Sequence, residues 1–343
     1  MRSVVIHAAG DLRIEDQDLP TMGPSQVVVR IQAGGICGSD LHYFNHGGFG
    51  TVRLREPMIL GHEVAGIVTE VAADVTRVKP GDRVGVNPSR PCRHCRFCLK
   101  GMPNQCLNMR FYGSAMPMPH IQGAFRDFLV CDASQCEIAL RALPTELALA
   151  EPLAVVLHAL GQAGSLLGQT VLVTGCGPIG ALVVAAARFH GAAEIIVTDI
   201  VDAPLAVARK LGATRAVNTA TNPDGLAEYR HDKGQIGVMI ECSGNDRALR
   251  AGLDVVEPGG TIVQLGLGGD MSVPQNMVVS KEVKVVGSFR FHDEYALAVR
   301  LIDEGRMDLT PLLTGSFDVA DAQHAFEAAN DRRTAMKVQL LFS

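Results

Sequence analysis

A chain of 343 residues exceeds what one ordinary hydrophobic core serves and fits two domains. With 47% hydrophobic and 20% charged residues, 36 glycines and a net charge of -5, it reads as a soluble globular protein; the mild acidity and the lack of any Lys/Arg run argue against nucleic acid as a partner. No stretch reaches the ~20 uninterrupted apolar residues of a membrane span, residues 1–14 lack the apolar centre of a signal peptide, and the nine cysteines are odd in number, so a reducing, cytoplasmic setting without disulfides is expected.

The first ~150 residues read as short strands, at 4–8, 12–15, 26–33, 65–71, 83–87 and 125–130, broken by Pro24, Gly34-Gly35, Pro80-Gly81-Asp82 and Pro88. Such spacing predicts a mostly β, barrel-like domain. From about Gly168 the texture changes. Strand-like runs begin near Val171, Glu194, Arg215, Val238, Thr261 and Lys284, about every twenty-three residues, with helix-compatible segments between most of them. Six strands joined by crossover helices predict a doubly wound parallel sheet, an α/β fold. Helices at 292–304 and 319–330 and a last strand at 337–342 follow; this tail is too short for a domain and is expected to rejoin the first.

The stretch from Val171 to Asp199 carries the clearest chemistry. An apolar strand leads into Gly175-Cys176-Gly177-Pro178-Ile179-Gly180, a helix follows, and the next strand ends in Asp199. In this pattern the first glycine makes the bend, the second lets backbone approach a diphosphate over the helix N-terminus, and the third lets helix pack on strand. Asp199 is placed to accept bonds from a ribose diol. No Arg or Lys follows until Arg209, so a 2′-phosphate would meet only negative charge and NAD is expected rather than NADP.

Cys92, Cys95, Cys98 and Cys106 lie within fifteen residues of one another in a polar loop with Arg93, Arg96 and Lys100. Four thiolates at this spacing close a tetrahedral shell around Zn²⁺, as in a structural site. His94, between two of them, reads as a loop residue. Cys37, His62, Glu63 and Glu151 are dispersed, and on spacing alone each has a plainer reading than metal binding: a core cysteine, a satisfied histidine, a surface glutamate.

Gly61-His62-Glu63-Val64-Ala65-Gly66, followed by Ala72 and Val75, is similar to the signature of the zinc-dependent medium-chain dehydrogenases, and the cysteine loop, glycine turn and Asp199 fall in that family's order. The resemblance covers essentially the whole chain. It implies a GroES-like β-barrel catalytic domain over 1–152, a Rossmann NAD-binding domain with a six-stranded parallel sheet over 153–288, and a C-terminal segment, 289–343, returning to the catalytic domain. It also implies one catalytic and one structural zinc, NAD, and a dimer or tetramer. Cys37-Gly38-Ser39-Asp40-Leu41-His42-Tyr43 and Glu151-Pro152-Leu153-Ala154 resemble the polyol, or sorbitol, dehydrogenase branch. Alcohol dehydrogenases usually place a second cysteine ligand near the position of Glu151, so the catalytic zinc is expected on Cys37 and His62 with Glu63 or Glu151 as the third ligand.

Asn87-Pro88-Ser89 and the stretches 108–116 and 287–291 look like members of that branch that oxidise a sugar acid. The expectation is therefore hydride transfer from a secondary alcohol of a sugar acid to NAD, with a polyol as the alternative substrate. A carboxylate suits an Arg fork, for which Arg290 and Arg110 stand out, with Tyr43, Tyr112 and Phe291 lining the cleft. Ser39 and His42 would, by the same resemblance, carry the alcohol proton to solvent. A non-catalytic NAD-binding protein is the reading from another class; it leaves a metal shell with an open position without purpose.

Overall fold

The strand Gln26–Gly35 is almost wholly buried along its length, and the first sheet is built on it. In this computed structural model, which describes residues 1–342, it pairs antiparallel with Glu63–Val71 on one side. On the other side, its first half takes Phe128–Asp132 and its second half takes Lys337–Leu341. Arg83–Val86 and Cys136–Ala139 extend the sheet beyond Glu63–Val71, and Leu313–Asp318 extends it beyond Lys337–Leu341. Arg2–Ala8, Asp11–Asp16 and Met58–Ile59 form a smaller sheet, and Val4, Ile6, Val27, Val29, Ile31, Phe125 and Phe326 fill the space enclosed. The last strand thus lies against Gly34 and Gly35, next to Cys37.

The second sheet is parallel, with its strands in the spatial order Arg215–Asn218, Glu194–Asp199, Thr170–Thr174, Ile236–Glu241, Val256–Gln264, Lys284–Gly287. This is the doubly wound order, in which the winding, not the strand direction, reverses between the first and fourth strands in sequence. Alternate residues of a strand face opposite sides: Val171, Val173, Ile195 and Val197 join one apolar cluster, Leu172 and Ile196 another. Both faces are covered, as a parallel sheet requires. The barrel-like and six-stranded expectations both hold. No described helix is long and apolar enough to cross a membrane.

Three local expectations change. The strand expected at 125–130 runs from Phe128 to Asp132, because the Ala124 and Phe125 N–H groups bond to Gly61 O and Leu60 O, bracing the turn that precedes His62. The segment after Cys37 is a helix, Gly38–His46, started by Asp40 and stopped by Gly47 in the left-handed region. A further helix, Ala150–Ala163, crosses the change-over expected at 152/153. It places Glu151 in its first turn, and Pro152 sits where a helix needs no N–H.

Candidate active site

Asp40 organises the first part of the site. It is fully buried; its Oδ2 accepts from Cys37 N at 3.0 Å and its Oδ1 from Gly61 N at 3.1 Å. One carboxylate therefore ties the start of the helix to the turn before His62. Gly61 has φ +90, and any Cβ there would strike the Phe125 ring, so the turn tolerates no side chain. His62 Nδ1 lies 3.9 Å from Asp40 Oδ1 and is buried without a hydrogen-bond partner among the described residues.

Ligating atoms of Cys37, His62 and Glu63 all lie within 4.8 Å of one another. Glu63 is already engaged: Lys337 Nζ donates to its two oxygens at 2.8 and 2.7 Å and to Ile36 O at 3.2 Å, in a pair shielded from water. Glu151 is the opposite case. It is buried, yet makes no hydrogen bond or ion pair among the described residues. Burial pushes its carboxyl up to about 8, with His62 pulling it down and Glu63 and Cys37 pushing it further up. The Cys37 thiol is likewise pushed up to about 12 by burial and by Glu63. A thiol, an imidazole and carboxylates with only one ammonium among them is a donor set that suits a divalent, borderline-soft cation such as Zn²⁺, and the orphaned Nδ1 marks a histidine with nothing else to serve.

Ser39 and His42 sit three residues apart on the helix that Cys37 caps, and so share a face. Ser39 is partly buried, while His42 is exposed beside Phe49 and His46, its ring centroids 5.6 and 6.2 Å from theirs. Partial burial and His46 hold its imidazole below the usual range.

The substrate side divides. Arg290, at φ +54, lays its guanidinium over the rings of Phe111 (4.4 Å) and Phe289 (5.0 Å), and Phe111 in turn meets His62 at 5.4 Å. Burial pushes Arg290 down, while Glu151 and Tyr43 push it up, which places it in their field; it forms no ion pair among the described residues. Tyr43 is buried, its hydroxyl accepting from Ala115 N at 3.0 Å. The structure does not bring Arg110 and Tyr112 to this group. In the strand Arg110–Phe111 it is Phe111 that turns inward and Arg110 that turns to solvent. Tyr112 packs with the barrel core and bonds Gln135 Oε1 at 3.2 Å. Phe291 is buried in the core cluster of the second sheet and lines the cavity that also takes in Asn87, Ser89 and His292.

At the glycine turn the three glycines separate by role. Gly175 has φ +82 and would carry a Cβ into Ser243; Gly180 would carry one into Gly175 O; a Cβ on Gly177 meets nothing within 4 Å. Gly177 caps the helix Pro178–Phe189, so the open space lies over the helix N-terminus, where an anion is favoured. Ile179 packs against the core behind the turn. Asp199 accepts from Cys176 N at 2.7 Å, Ile200 N at 2.7 Å and Val201 N at 3.0 Å, fixing its charge at the strand end beside the turn.

The four-cysteine loop also fits a metal. Ligating atoms of Cys92, Cys95, Cys98 and Cys106 lie within 4.8 Å of one another, with Cys95 Sγ 3.6 Å from Cys98 Sγ and 4.0 Å from Cys106 Sγ. A tetrahedron with Zn–S of about 2.3 Å has edges of about 3.8 Å. Backbone N–H groups near His94 and Cys95 hold Cys92 down to about 6, favouring the thiolate that binds metal.

Comparison with known proteins agrees. Residues 23–140 match the family model for the alcohol dehydrogenase GroES-like domain, and residues 178–304 that for zinc-binding dehydrogenase. The chain is 40% identical over 317 residues to L-idonate 5-dehydrogenase (NAD(P)(+)) of Escherichia coli K12, covering 92% of this chain and 91% of that protein. The chain belongs to the zinc-dependent medium-chain alcohol dehydrogenase family.

Sorbitol dehydrogenase of Gallus gallus is 36% identical to this dehydrogenase over 98% of it and 95% of the relative. The crystal structure of the Escherichia coli L-idonate enzyme superimposes with a TM-score of 0.95 at 38% identity, covering 99% and 98% of the two chains. A short chain alcohol dehydrogenase of Escherichia coli CFT073, solved with NADH, gives 0.90 at 26% identity over 100% and 99%. This dehydrogenase is thus a zinc-containing enzyme of the polyol and sugar-acid group, acting on CH–OH donors. Three residues of its site escaped sequence reasoning. Asp40 carried a signal, an acid three residues into a helix; Phe111 lies inside the stretch 108–116 but nothing there told which way it faces, and Lys337 lies far from the motifs and carried none.

Proposed function

We propose that this dehydrogenase oxidises L-idonate to 5-keto-D-gluconate with NAD. The observation that carries the sugar-acid reading is Arg290: a half-buried guanidinium, stacked on Phe111 beside the Cys37–His62 group, with no carboxylate of its own. A substrate carboxylate can take that fork by two charge-assisted bonds. The curated relative at 40% identity, an L-idonate 5-dehydrogenase, supports the same choice.

Zn²⁺, when bound, supplies a Lewis acid that lowers the pKa of an alcohol, and the dinucleotide supplies the hydride acceptor. Cys37, His62 and Glu151 would hold the cation. Glu63, neutralised by Lys337, stands behind them and fixes the strand that carries His62. Cys92, Cys95, Cys98 and Cys106 would hold a second, structural Zn²⁺. Ser39 Oγ receives the alcohol proton and His42, exposed one turn along, passes it to solvent. The fixed negative charge of Asp199 supports NAD over NADP, although the curated relative's name covers both. A cytoplasmic homo-oligomer, dimer or tetramer, completes the reading, and light scattering tests its size.

The second reading is a polyol dehydrogenase for L-iditol, D-sorbitol or xylitol, favoured by the sorbitol dehydrogenase relatives. Measured side by side, kcat/KM for L-idonate, L-iditol, sorbitol and xylitol decides between them. A value for any polyol above that for L-idonate refutes the first.

A further inference from the structure

Glu241 ends the strand Ile236–Glu241, in register with Thr174 on one neighbour and Gln264 on the other. Its side chain is fully buried, and every bond it makes is accepted. The donors are Thr174 Oγ1 at 3.2 Å, Ser243 N at 2.8 Å, Gly244 N at 3.0 Å, Gln264 Nε2 at 2.6 Å and, closest, Ser243 Oγ. That acceptor-only pattern is the pattern of an ionised carboxylate. Among the described residues no Lys, Arg or His pairs with it. A buried charge left to neutral donors is costly.

Its place explains what the cost can serve. The order in which strands are added reverses between the parallel neighbours Thr170–Thr174 and Ile236–Glu241, and the crevice of a doubly wound sheet opens there. Three turns close around the carboxylate. A Cβ on Gly175 would fall on Ser243, one on Gly244 would come within 2.7 Å of Gly268 N, and one on Gly266 within 2.8 Å of Glu241 Oε2. The two halves of a dinucleotide lie on opposite sides of such a crevice. Asp199 and the glycine turn claim the side of Glu194–Asp199 for the adenosine half. The half with the redox ring would then lie on the side of Ile236–Glu241 and Val256–Gln264, where Glu241 holds the turns.

Resting on the dinucleotide reading above, we propose that Glu241 sets the preference of this dehydrogenase for the oxidised over the reduced coenzyme: its unpaired negative charge favours a cationic nicotinamide over a neutral one. A purely structural role would act on both forms alike, because it would change only the shape of the turns.

The test is the pair of Kd values for NAD⁺ and NADH by isothermal titration calorimetry, on wild type and on Glu241→Gln. The affinity for NAD⁺ is expected to fall about tenfold more than that for NADH, the scale of one charge–charge interaction in a partly buried site. Equal losses, or a larger loss for NADH, overturn the proposal. If Glu241→Gln does not fold, Ser243→Ala serves. It keeps the charge and removes one donor that masks it, so NAD⁺ should gain on NADH by about threefold; an unchanged ratio, or a shift toward NADH, overturns the proposal. Wild-type protein that binds neither form refutes the dinucleotide reading, and this inference with it.

Discussion

Replacing Arg290 by Leu removes the guanidinium but keeps an apolar side chain over Phe111, and the consequence for an acid and for a polyol should differ sharply. Two charge-assisted bonds to a substrate carboxylate are each worth about 1.5–3 kcal/mol. Because Arg290 is only half-buried, the lower end applies, and their joint loss of about 3 kcal/mol is a fall of about 150-fold in kcat/KM for L-idonate. A polyol makes no such bond. It would lose only the order that the stacked cation gives the cleft wall, about 0.5–1 kcal/mol or about two- to fivefold. The readout is NADH absorbance with L-idonate and L-iditol on wild type, Arg290→Leu and Arg290→Lys. The lysine variant should fall between, since it keeps the charge but not the planar fork. Equal losses for acid and polyol in Arg290→Leu would refute the carboxylate role of this residue.

Lys337→Met strands Glu63 as a lone buried charge and should cost about 3–5 kcal/mol of stability in urea, much of it recovered in Lys337→Met/Glu63→Gln; no difference between single and double variants would count against the pairing. Cys98→Ser should remove one zinc per chain by elemental analysis and leave the zinc at Cys37 in place, so unchanged metal content refutes the four-thiolate site. Asp199→Ala should narrow the preference for NAD over NADP about tenfold, and unchanged relative efficiencies would remove its ribose role. Burial alone would raise Glu294, but bonds from His158 and His292 N bring it down to about 2 from 4.5. A carboxylate whose folded pKa is depressed stabilises the protein above about 4.5 and loses that effect as pH falls toward 2. With the group half-exposed this is worth about 1–2 kcal/mol, so the stability gap between wild type and Glu294→Gln should shrink from pH 6 to pH 3, and a constant gap refutes it.

The parts of this molecule that were legible from sequence are those in which neighbours along the chain do the work. A strand, three glycines with separate duties and a carboxylate at the next strand end lie within thirty residues, and each restricts the others. The four-cysteine loop is equally self-contained. What escaped was assembled across distance. Arg110 and Phe111 are adjacent, yet strand alternation turns one to water and the other to His62, and two residues offer no periodicity from which to read the face. Tyr112 looked like a cleft residue until its hydroxyl found Gln135, twenty-three positions away. The helix Gly38–His46 was hidden because it is short and buries only Asp40, Tyr43 and Phe44, too few for an apolar stripe.

Lys337 shows most clearly why the third ligand stayed open. From the motif alone, Glu63 and Glu151 are two acids near a cysteine and a histidine, and nothing distinguishes them. The last strand brings an ammonium to the first of them across 274 positions of chain, and the electrostatics then separate. Glu63 has its counter-charge and gains little from a metal. Glu151 has none among the described residues and is pushed up to about 8 by burial, so a divalent cation held as proposed by Cys37, His62 and Glu151 would supply the counter-charge that this carboxylate lacks.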